Sequence, residues 1–280
     1  MFIVTKQNQK IGLLAATSLV VGNIIGAGIF VLPASLAKFG SISIVGWLFT
    51  ATGALILAKI FSNFSKKLKG KSGGPYIYSK VVFGDFIGFL VAWGYWISCW
   101  VNNAAIAVAI VSALSFFFPE LVTNPFYATI TGLSFIWFFT FTSSKGIKSS
   151  GNIQILTTIA KLIPLVLIIL FGFFIFDLEI FPEFNLTDQN DFEILPVVAV
   201  MTLYAFLGLE CASIPAENIK NPEKNIPKAT MAGTLISTLI YILSTIVLFG
   251  IISAENLINS PAPFAEAGEI IGGKYFGFLI

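Results

Sequence analysis

The 280-residue sequence contains no histidine and no arginine, and charged residues make up only 11% of it. Without histidine, the two cysteines, Cys99 and Cys211, leave no zinc cluster and no disulfide framework. An average soluble domain carries about 25% charged residues, so this chain is short of the polar surface that a water-soluble fold needs. Its composition therefore excludes an ordinary soluble globular fold.

The sequence also lacks the residue sets on which most enzymes depend. It has no Ser-His-Asp or Cys-His set and no metal-ligand spacing, and the single carboxyl expected inside the membrane has no second carboxylate as a partner. The net charge is only +2, and the lysines follow the loops instead of forming a nucleic-acid-binding patch. We expect no enzyme, no cofactor, no metal and no nucleic-acid partner.

Long apolar runs are what the chain has in abundance, since 56% of its residues are apolar and its mean hydropathy is +0.91. A hydrocarbon core about 30 Å thick needs about 20 such residues per helix. The runs predict an all-α polytopic membrane protein with seven complete spans, at residues 12–36, 42–62, 85–116, 126–144, 153–176, 194–216 and 227–252. An eighth helix is predicted to begin near Lys274.

The lysines predict how these spans are oriented, because Lys and Arg concentrate in cytoplasmic loops. Thirteen of the sixteen lysines lie in the N-terminal tail or at the second, fourth and sixth connections, whereas the opposite loops are acidic, as in residues 177–193. This predicts a multi-pass protein of the cell (inner) membrane with a cytoplasmic N-terminus. The lysine run at 66–71 could bind nucleic acid or lipid headgroups, but topology alone explains it.

A glycine-rich segment, Gly22-Asn-Ile-Ile-Gly-Ala-Gly28, lies in the middle of the first span. Glycine costs about 1 kcal/mol relative to alanine in a helix interior, so the segment is expected to unwind and line a cavity. Unwinding would free amides from Gly28 onward for an anion, and carbonyls near Asn23 and Ile24 for an ammonium group. Alternatively, Gly22 and Gly26 form a helix-packing face.

Two charged residues are expected well inside the bilayer, Lys161 in the fifth span and Glu210 in the sixth. A charge there costs on the order of 3 kcal/mol, so each needs a partner or a task. Glu210 is a candidate proton-responsive carboxyl, and Lys161 is a candidate cation beside the helix breaks. The alternatives are a structural role for Glu210 and mutual neutralisation of the two charges.

Breaks in the first and sixth spans, five spans apart, fit the inverted-repeat plan of secondary transporters. We predict one transmembrane domain over residues 1–280, with a first repeat at about 12–176 and a partial second repeat at about 194–280. The two breaks would face each other near the midplane. That arrangement suits a zwitterionic substrate, which needs a site for an anion and a site for a cation.

Several segments, in order, resemble the amino acid–polyamine–organocation superfamily, in particular its arginine/agmatine antiporters and their basic amino acid and polyamine relatives. They are GNIIGAGIFVLP at 22–33, GGPYIY at 73–78 followed by Phe83-Gly84, and the loop at 221–229. The resemblance implies the 5+5 inverted-repeat fold with broken helices 1 and 6. This chain would contain helices 1–7 and the start of helix 8, as a C-terminally truncated member.

The resemblance also implies a substrate site. The carbonyls of Ile24, Tyr204 and Leu207 would accept from the α-ammonium, and the Gly28 N–H would hold the carboxylate. Ala27 stands where the family has a serine hydroxyl, so one carboxylate hydrogen bond would be missing. The helix break and the resemblance together place these residues at the substrate: Asn23, Ile24, Ala27, Gly28, Ser98, Cys99, Asn103, Tyr204 and Leu207.

On the third helix, Asn103 and the carbonyls of Ser98 and Cys99 match the family's pocket for the side-chain head group. Lys161 matches a lysine of proton-coupled relatives, whose ammonium takes the place of a sodium ion and reaches the unwound carbonyls of the first helix. This disfavours sodium coupling. The residues implied for gating and proton coupling are Tyr95, Lys161 and Glu210.

We therefore expect a secondary transporter that acts on a small amino acid or amine within the lipid bilayer, as an exchanger or a proton-coupled permease. Tyr204 occupies the place of a gating tryptophan in the arginine/agmatine antiporters, which argues against strict arginine specificity. The alternative is a non-transporting fragment, a sensor, or a half that assembles with a separately encoded C-terminal half or as a homodimer.

Overall fold

The computed structural model describes residues 10–26, 28–68, 71–115 and 118–280. These residues form helices and contain no β-sheet strand, only an isolated parallel bridge between Ile11 and Ile219. Short 3₁₀ turns at Cys211–Ser213 and Ala216–Asn218 lie between α9 and α10. The helices are α1 (Leu13–Ile24), α2 (Gly28–Ala37), α3 (Ile42–Lys67), α4 (Pro75–Phe83), α5 (Asp85–Leu114), α6 (Glu120–Thr123), α7 (Pro125–Ser144), α8 (Ile147–Gly172), α9 (Asp191–Tyr204), α10 (Pro222–Ile251), α11 (Ala254–Asn259), α12 (Pro263–Gly272) and α13 (Lys274–Leu279).

Five of these helices, α3, α5, α7, α8 and α10, are each long and apolar enough to cross a bilayer. Helices α1 and α2 form a sixth candidate span that is bent by 41°. The prediction of an all-α polytopic membrane protein is therefore confirmed. The predicted span at 194–216 is not one continuous helix, because α9 has 14 residues and ends at Tyr204.

Helix ends follow local chemistry that the sequence already contains. Proline occupies the first turn of α4, α7, α10 and α12, where its missing N–H costs no hydrogen bond. The side chains of Asn124 and Asn190 accept from the amides of Phe126 and Phe192, which caps α7 and α9. These two caps mark where α7 and α9 start.

Helix α10 lies at the centre of the packed part of the molecule. It contacts α1, α3 and α8, and most of its length is buried. Helices α5 and α7 contact each other and are almost entirely exposed, with apolar side chains such as Trp96 and Trp137 facing outward. A helix that is apolar on its exposed face is suited to a lipid environment.

The acidic connection before α9 is docked on the turn between α2 and α3. The amides of Ser41 and Ile42 donate to the carbonyls of Glu183 and Phe184 at 2.9 and 2.7 Å. Gly40 has φ of +83°, and a Cβ at this position would collide with the carbonyl oxygen of Glu183. Glycine is therefore required here both by backbone conformation and by the close approach of the loop.

We expect Gly40→Ala to lower the melting temperature of the protein in detergent, because the substitution strains the backbone and displaces the docked loop. Backbone strain of this kind costs about 1–3 kcal/mol. Gly53→Ala is the matched control, since Gly53 lies in α3 with open space around its Cβ position. Equal melting temperatures for the two variants would contradict this account of the turn.

Candidate functional site

The first helix break lies where the glycine-rich segment predicts it. The amide of Ile25 still donates to the Val21 carbonyl at 2.8 Å, but the Gly26 amide turns back to the Ile24 carbonyl at 2.9 Å. Helix α2 then begins at Gly28. The α-helical hydrogen-bond ladder is thus interrupted, and the amides of the first turn of α2, from Gly28 onward, have no partner within that helix.

Lys161 of α8 fills the gap that this break leaves in the backbone hydrogen bonding. Its Nζ donates to the Gly22 carbonyl at 2.8 Å and to the Ile25 carbonyl at 2.6 Å. The contact that the resemblance implied is confirmed. Lys161 does not pair with Glu210, because the one salt bridge within the described ranges joins Lys80 to Asp85.

Close packing of α8 on α1 brings Lys161 to the break. Gln154 Nε2 and Thr158 Oγ1 both donate to the Ser18 carbonyl at 3.2 Å, and a Cβ on Gly22 would collide with Gln154. Gly26, by contrast, has open space around its Cβ position. The helix-packing interpretation therefore holds for Gly22 but not for Gly26.

The second break follows α9 and is made of successive turns. The amides of Phe206 and Leu207 donate to carbonyls three residues back, at 3.0 and 3.3 Å, and Gly208 has φ of +105°. The carbonyl of Glu210 accepts from the amide and hydroxyl of Ser213, at 2.8 and 2.6 Å. The predicted break in the sixth span, which carries Glu210, is therefore confirmed.

The two breaks lie against each other. A Cβ on Gly208 would come within 2.8 Å of the Asn23 Cβ and 3.1 Å of its carbonyl carbon. The hydroxyl of Tyr241, on α10, lies 2.6 Å from the Ile24 carbonyl and 3.1 Å from the Ala205 carbonyl. Breaks that are far apart in the sequence therefore form one continuous patch of non-helical backbone.

The carbonyls that the resemblance assigns to an ammonium differ in how free they are. The Ile24 carbonyl already accepts from Tyr241 and Gly26, and the Tyr204 carbonyl accepts from the Leu207 amide. The Leu207 carbonyl accepts no hydrogen bond from the residues that the structure describes. It is therefore the carbonyl of this group that is most available to a ligand.

The side chains of the remaining predicted residues of this patch either bond within their own helix or are exposed. Asn23 donates its side-chain amide to the Leu19 carbonyl at 2.7 Å, within its own helix. Tyr204 and Leu207 are 68% and 62% exposed, so the patch is an open face of this chain. Ala27 lies outside the described residues.

The third predicted group lies on α5. The hydroxyl of Tyr95 is 4.0 Å from the sulfur of Cys211, which follows the second break. Ser98, Cys99 and Asn103 are exposed and recur at helical spacing with Tyr95, so they share its face of α5. The structure thus links α5 to the second break through Tyr95.

Sequence reasoning missed two residues of the site, Tyr241 and Cys211. A tyrosine hydroxyl in the middle of an apolar span is a sequence signal for a buried hydrogen bond, because the hydroxyl needs an acceptor where no water is available. The signal at Tyr241 did not identify the acceptors, since both lie far away in the sequence.

Comparison with known proteins places this sequence in a family. Residues 11–280 match the family model for amino acid permeases. The chain is 34% identical over 273 residues to the cadaverine/lysine antiporter of Escherichia coli strain K12, covering 97% of this chain and 61% of that protein. It is 36% identical over 283 residues to the putrescine transporter PotE of Haemophilus influenzae, covering 98% and 64%.

A third relative is the arginine/agmatine antiporter of Chlamydia pneumoniae, which is 33% identical over 290 residues, covering 97% of this chain and 59% of that protein. The chain therefore spans about three fifths of the length of these curated relatives. All three are named as transporters or antiporters.

We expect Lys161→Met to destabilise the protein, because the variant keeps a long apolar side chain but removes the donor to two carbonyls. A hydrogen bond to a charged group contributes about 1.5–3 kcal/mol. Thermal unfolding in detergent would measure the loss, with Lys59→Met as the control at an exposed lysine of α3. Matching unfolding curves for the two variants would show that Lys161 does not support the break.

Proposed function

The chain belongs to the amino acid permease family, and on that premise we propose that it is a secondary transporter that exchanges amino acids or their decarboxylated amines. The observation that carries this proposal is the pair of adjacent helix breaks, which exposes backbone donors and acceptors inside a membrane span. Passive anchors have no use for such groups, because unsatisfied peptide groups are costly in the hydrocarbon core.

The polarity of the exposed groups supports a substrate with both an ammonium and a carboxylate. The first turn of α2, from Gly28, offers amides at a helix N-terminus, where an anion is favoured. The Leu207 carbonyl offers an acceptor for the ammonium group. Because Ile24 is already doubly bonded, we assign the ammonium mainly to the second break.

The face of α5 that carries Tyr95 supports recognition of the rest of the substrate. Asn103 provides a neutral side chain that tolerates several head groups, and the carbonyls of Ser98 and Cys99 are proposed to accept from an amine. Tyr95 would gate the site, because it already contacts Cys211 beside the second break. The relatives named for lysine, cadaverine, putrescine, arginine and agmatine define the panel of substrates to test.

We propose that this transport is independent of sodium. The Lys161 ammonium already occupies the Gly22 and Ile25 carbonyls, which are the groups that an ion at the first break would need. A tethered cation serves the same electrostatic purpose as a bound one. Coupling would then come from exchange or from the Glu210 carboxyl.

The charge distribution supports location in the inner membrane with a cytoplasmic N-terminus. Lysines concentrate around the α3–α4, α7–α8 and α9–α10 connections, whereas the opposite connection before α9 is acidic. The positive-inside bias then places the lysine-rich connections in the cytoplasm.

A second candidate is a half-transporter that needs a separately encoded partner or a second copy, or a fragment that binds without transport. The observation that favours it is the exposure of α5 and α7 in a chain that spans about three fifths of its relatives. The two candidates differ in whether this chain transports alone.

Exchange in vesicles reconstituted with the purified chain decides between them. Labelled lysine or arginine should enter vesicles loaded with cadaverine, agmatine or putrescine, and should not enter empty vesicles. Uptake that is equal in loaded and empty vesicles would contradict exchange. If labelled lysine and arginine enter none of the loaded vesicles, the result would favour the half-transporter or fragment.

We expect Glu210→Gln to abolish the pH dependence of this exchange, because a glutamine side chain cannot take up or release a proton. The measurement is the initial rate of exchange at a series of pH values on both sides of the vesicle. Glu217→Gln is the control, since Glu217 is an exposed carboxyl between α9 and α10. A Glu210→Gln variant with the wild-type pH profile would remove Glu210 from the coupling mechanism.

A further inference from the structure

Three polar side chains of α8 form a stripe that donates hydrogen bonds to the backbone of α1. They are spaced by four and then three residues, which places them on one face of the helix: Gln154, Thr158 and Lys161. The carbonyls that accept these bonds have the same spacing along α1 and its end, and they belong to Ser18, Gly22 and Ile25. A row of donors on one helix therefore matches a row of acceptors on the other.

Thr158 lies at the centre of this stripe and is only 3% exposed. Its hydroxyl donates to the Ser18 carbonyl at 3.2 Å and accepts from the Gln154 side-chain amide at 3.3 Å. The same Gln154 amide is 3.2 Å from the Ser18 carbonyl. Thr158 and Gln154 therefore support each other at a single carbonyl of α1, one turn before Gly22.

Gly22 fits between the three side chains of the stripe. A Cβ at this position would collide with the Gln154 amide nitrogen and would come within 2.8 Å of the Thr158 hydroxyl oxygen. The Lys161 ammonium binds the carbonyl of the same glycine at 2.8 Å. The residue that begins the glycine-rich segment is thus also the point at which the polar stripe of α8 approaches α1 most closely.

Apolar packing alone does not fix how far α8 is shifted along α1, because lipid tails are as apolar as the side chains that they replace. A slip of one residue moves a helix by about 1.5 Å, which is enough to break hydrogen bonds of ordinary length. Lysine has a long side chain that can follow such a slip. Threonine is short and stiff at its only side-chain torsion between carbon atoms, so its hydrogen bond fixes the distance between the two backbones.

We propose that Thr158, supported by Gln154, is a positioning residue that sets the register of α8 on α1. It acts through Lys161, because this register brings the ammonium within reach of both the Gly22 and the Ile25 carbonyls. The inference deepens the proposed transport function and rests on it for its consequence at the substrate. The register itself is a property of the fold and can be tested without transport.

Thr158→Val tests the proposal, because it removes the hydroxyl and keeps the shape of the side chain. Solid-state NMR of the chain in lipid, with labelled lysine Nζ and glycine carbonyl carbons, reports the Lys161–Gly22 contact as the coupling that Lys161→Met removes. This coupling should fall by about half in Thr158→Val, since it decreases with the cube of the distance and a one-residue slip moves α8 by about 1.5 Å. Thr157→Val is the matched control and should leave the coupling unchanged, because the exposed Thr157 hydroxyl bonds only to carbonyls of its own helix.

Thr158→Ser should restore the wild-type coupling, because serine keeps the hydroxyl that donates to Ser18. A wild-type coupling in Thr158→Val would overturn the positioning role, and so would a coupling in Thr158→Ser as weak as that in Thr158→Val. If Thr158→Val does not fold, Gln154→Leu takes its place, since it removes the other donor to the Ser18 carbonyl. A weakened coupling in Gln154→Leu then supports the proposal, and an unchanged one overturns it.

Transport kinetics test the consequence for the substrate, because Lys161 holds the break that presents the amides at the start of α2. In vesicles loaded with cadaverine, Thr158→Val should raise the KM for labelled lysine about threefold, the effect of one hydrogen bond between membrane helices. Thr157→Val should keep the wild-type KM, and a mere loss of folded protein would lower the maximal rate at constant KM. An unchanged KM in Thr158→Val would overturn the link between this register and the substrate site. If the wild-type chain exchanges no substrate, the proposed function fails, and the NMR coupling still decides whether Thr158 sets the register.

Discussion

A carbonyl that leaves a helical ladder inside a bilayer has to find another donor or line a polar cavity, because the hydrocarbon core supplies no water. The first break releases carbonyls around Gly22 and Ile25, and the Lys161 ammonium supplies the donor from a neighbouring helix. The same contact removes the cost of the lysine, since its charge is solvated by peptide oxygens. The break and the buried charge therefore stabilise each other, and each would be unfavourable alone.

The second break is stabilised by different means. Its peptide groups are partly satisfied by tight turns around Gly208, and the Tyr241 hydroxyl contributes one further hydrogen bond. This leaves the Leu207 carbonyl without a donor from the described chain, whereas the Ile24 carbonyl is fully used. The first break is thus held firmly from α8 and α10, and the second keeps a free acceptor at an open face. That asymmetry divides the proposed substrate site into a rigid part and an accessible part.

Much of this arrangement was predictable from local sequence. Three glycines within residues 22–28 predicted the first break, because glycine weakens a helix irrespective of tertiary context. The second break was predicted from a charge, Glu210, but the apolar run continued to residue 216 and concealed the end of α9 at Tyr204. Hydropathy measures the preference for the membrane, and it does not distinguish a helix from a series of turns.

What could not be predicted depends on contacts between distant segments. The resemblance pointed Lys161 toward the first helix, yet the residues alone left pairing with Glu210 open as an alternative. The contact of Tyr241 with Ile24 and Ala205 requires knowledge of how α10 packs, and no local pattern contains it. Gly22 illustrates the same limit, because its close approach to Gln154 is set by the position of α8.

The central claim is that the Lys161 ammonium replaces the helical hydrogen bonds of the first break. Solid-state NMR of the chain in lipid, with ¹⁵Nζ-labelled lysine and ¹³C-labelled glycine carbonyls, measures this contact directly. The claim predicts dipolar coupling for a nitrogen–carbon distance of no more than about 4 Å between Lys161 and Gly22, which follows from the hydrogen-bond and carbonyl bond lengths. This coupling should vanish in Lys161→Met. A spectrum in which the wild type and the variant show the same coupling would contradict the claim.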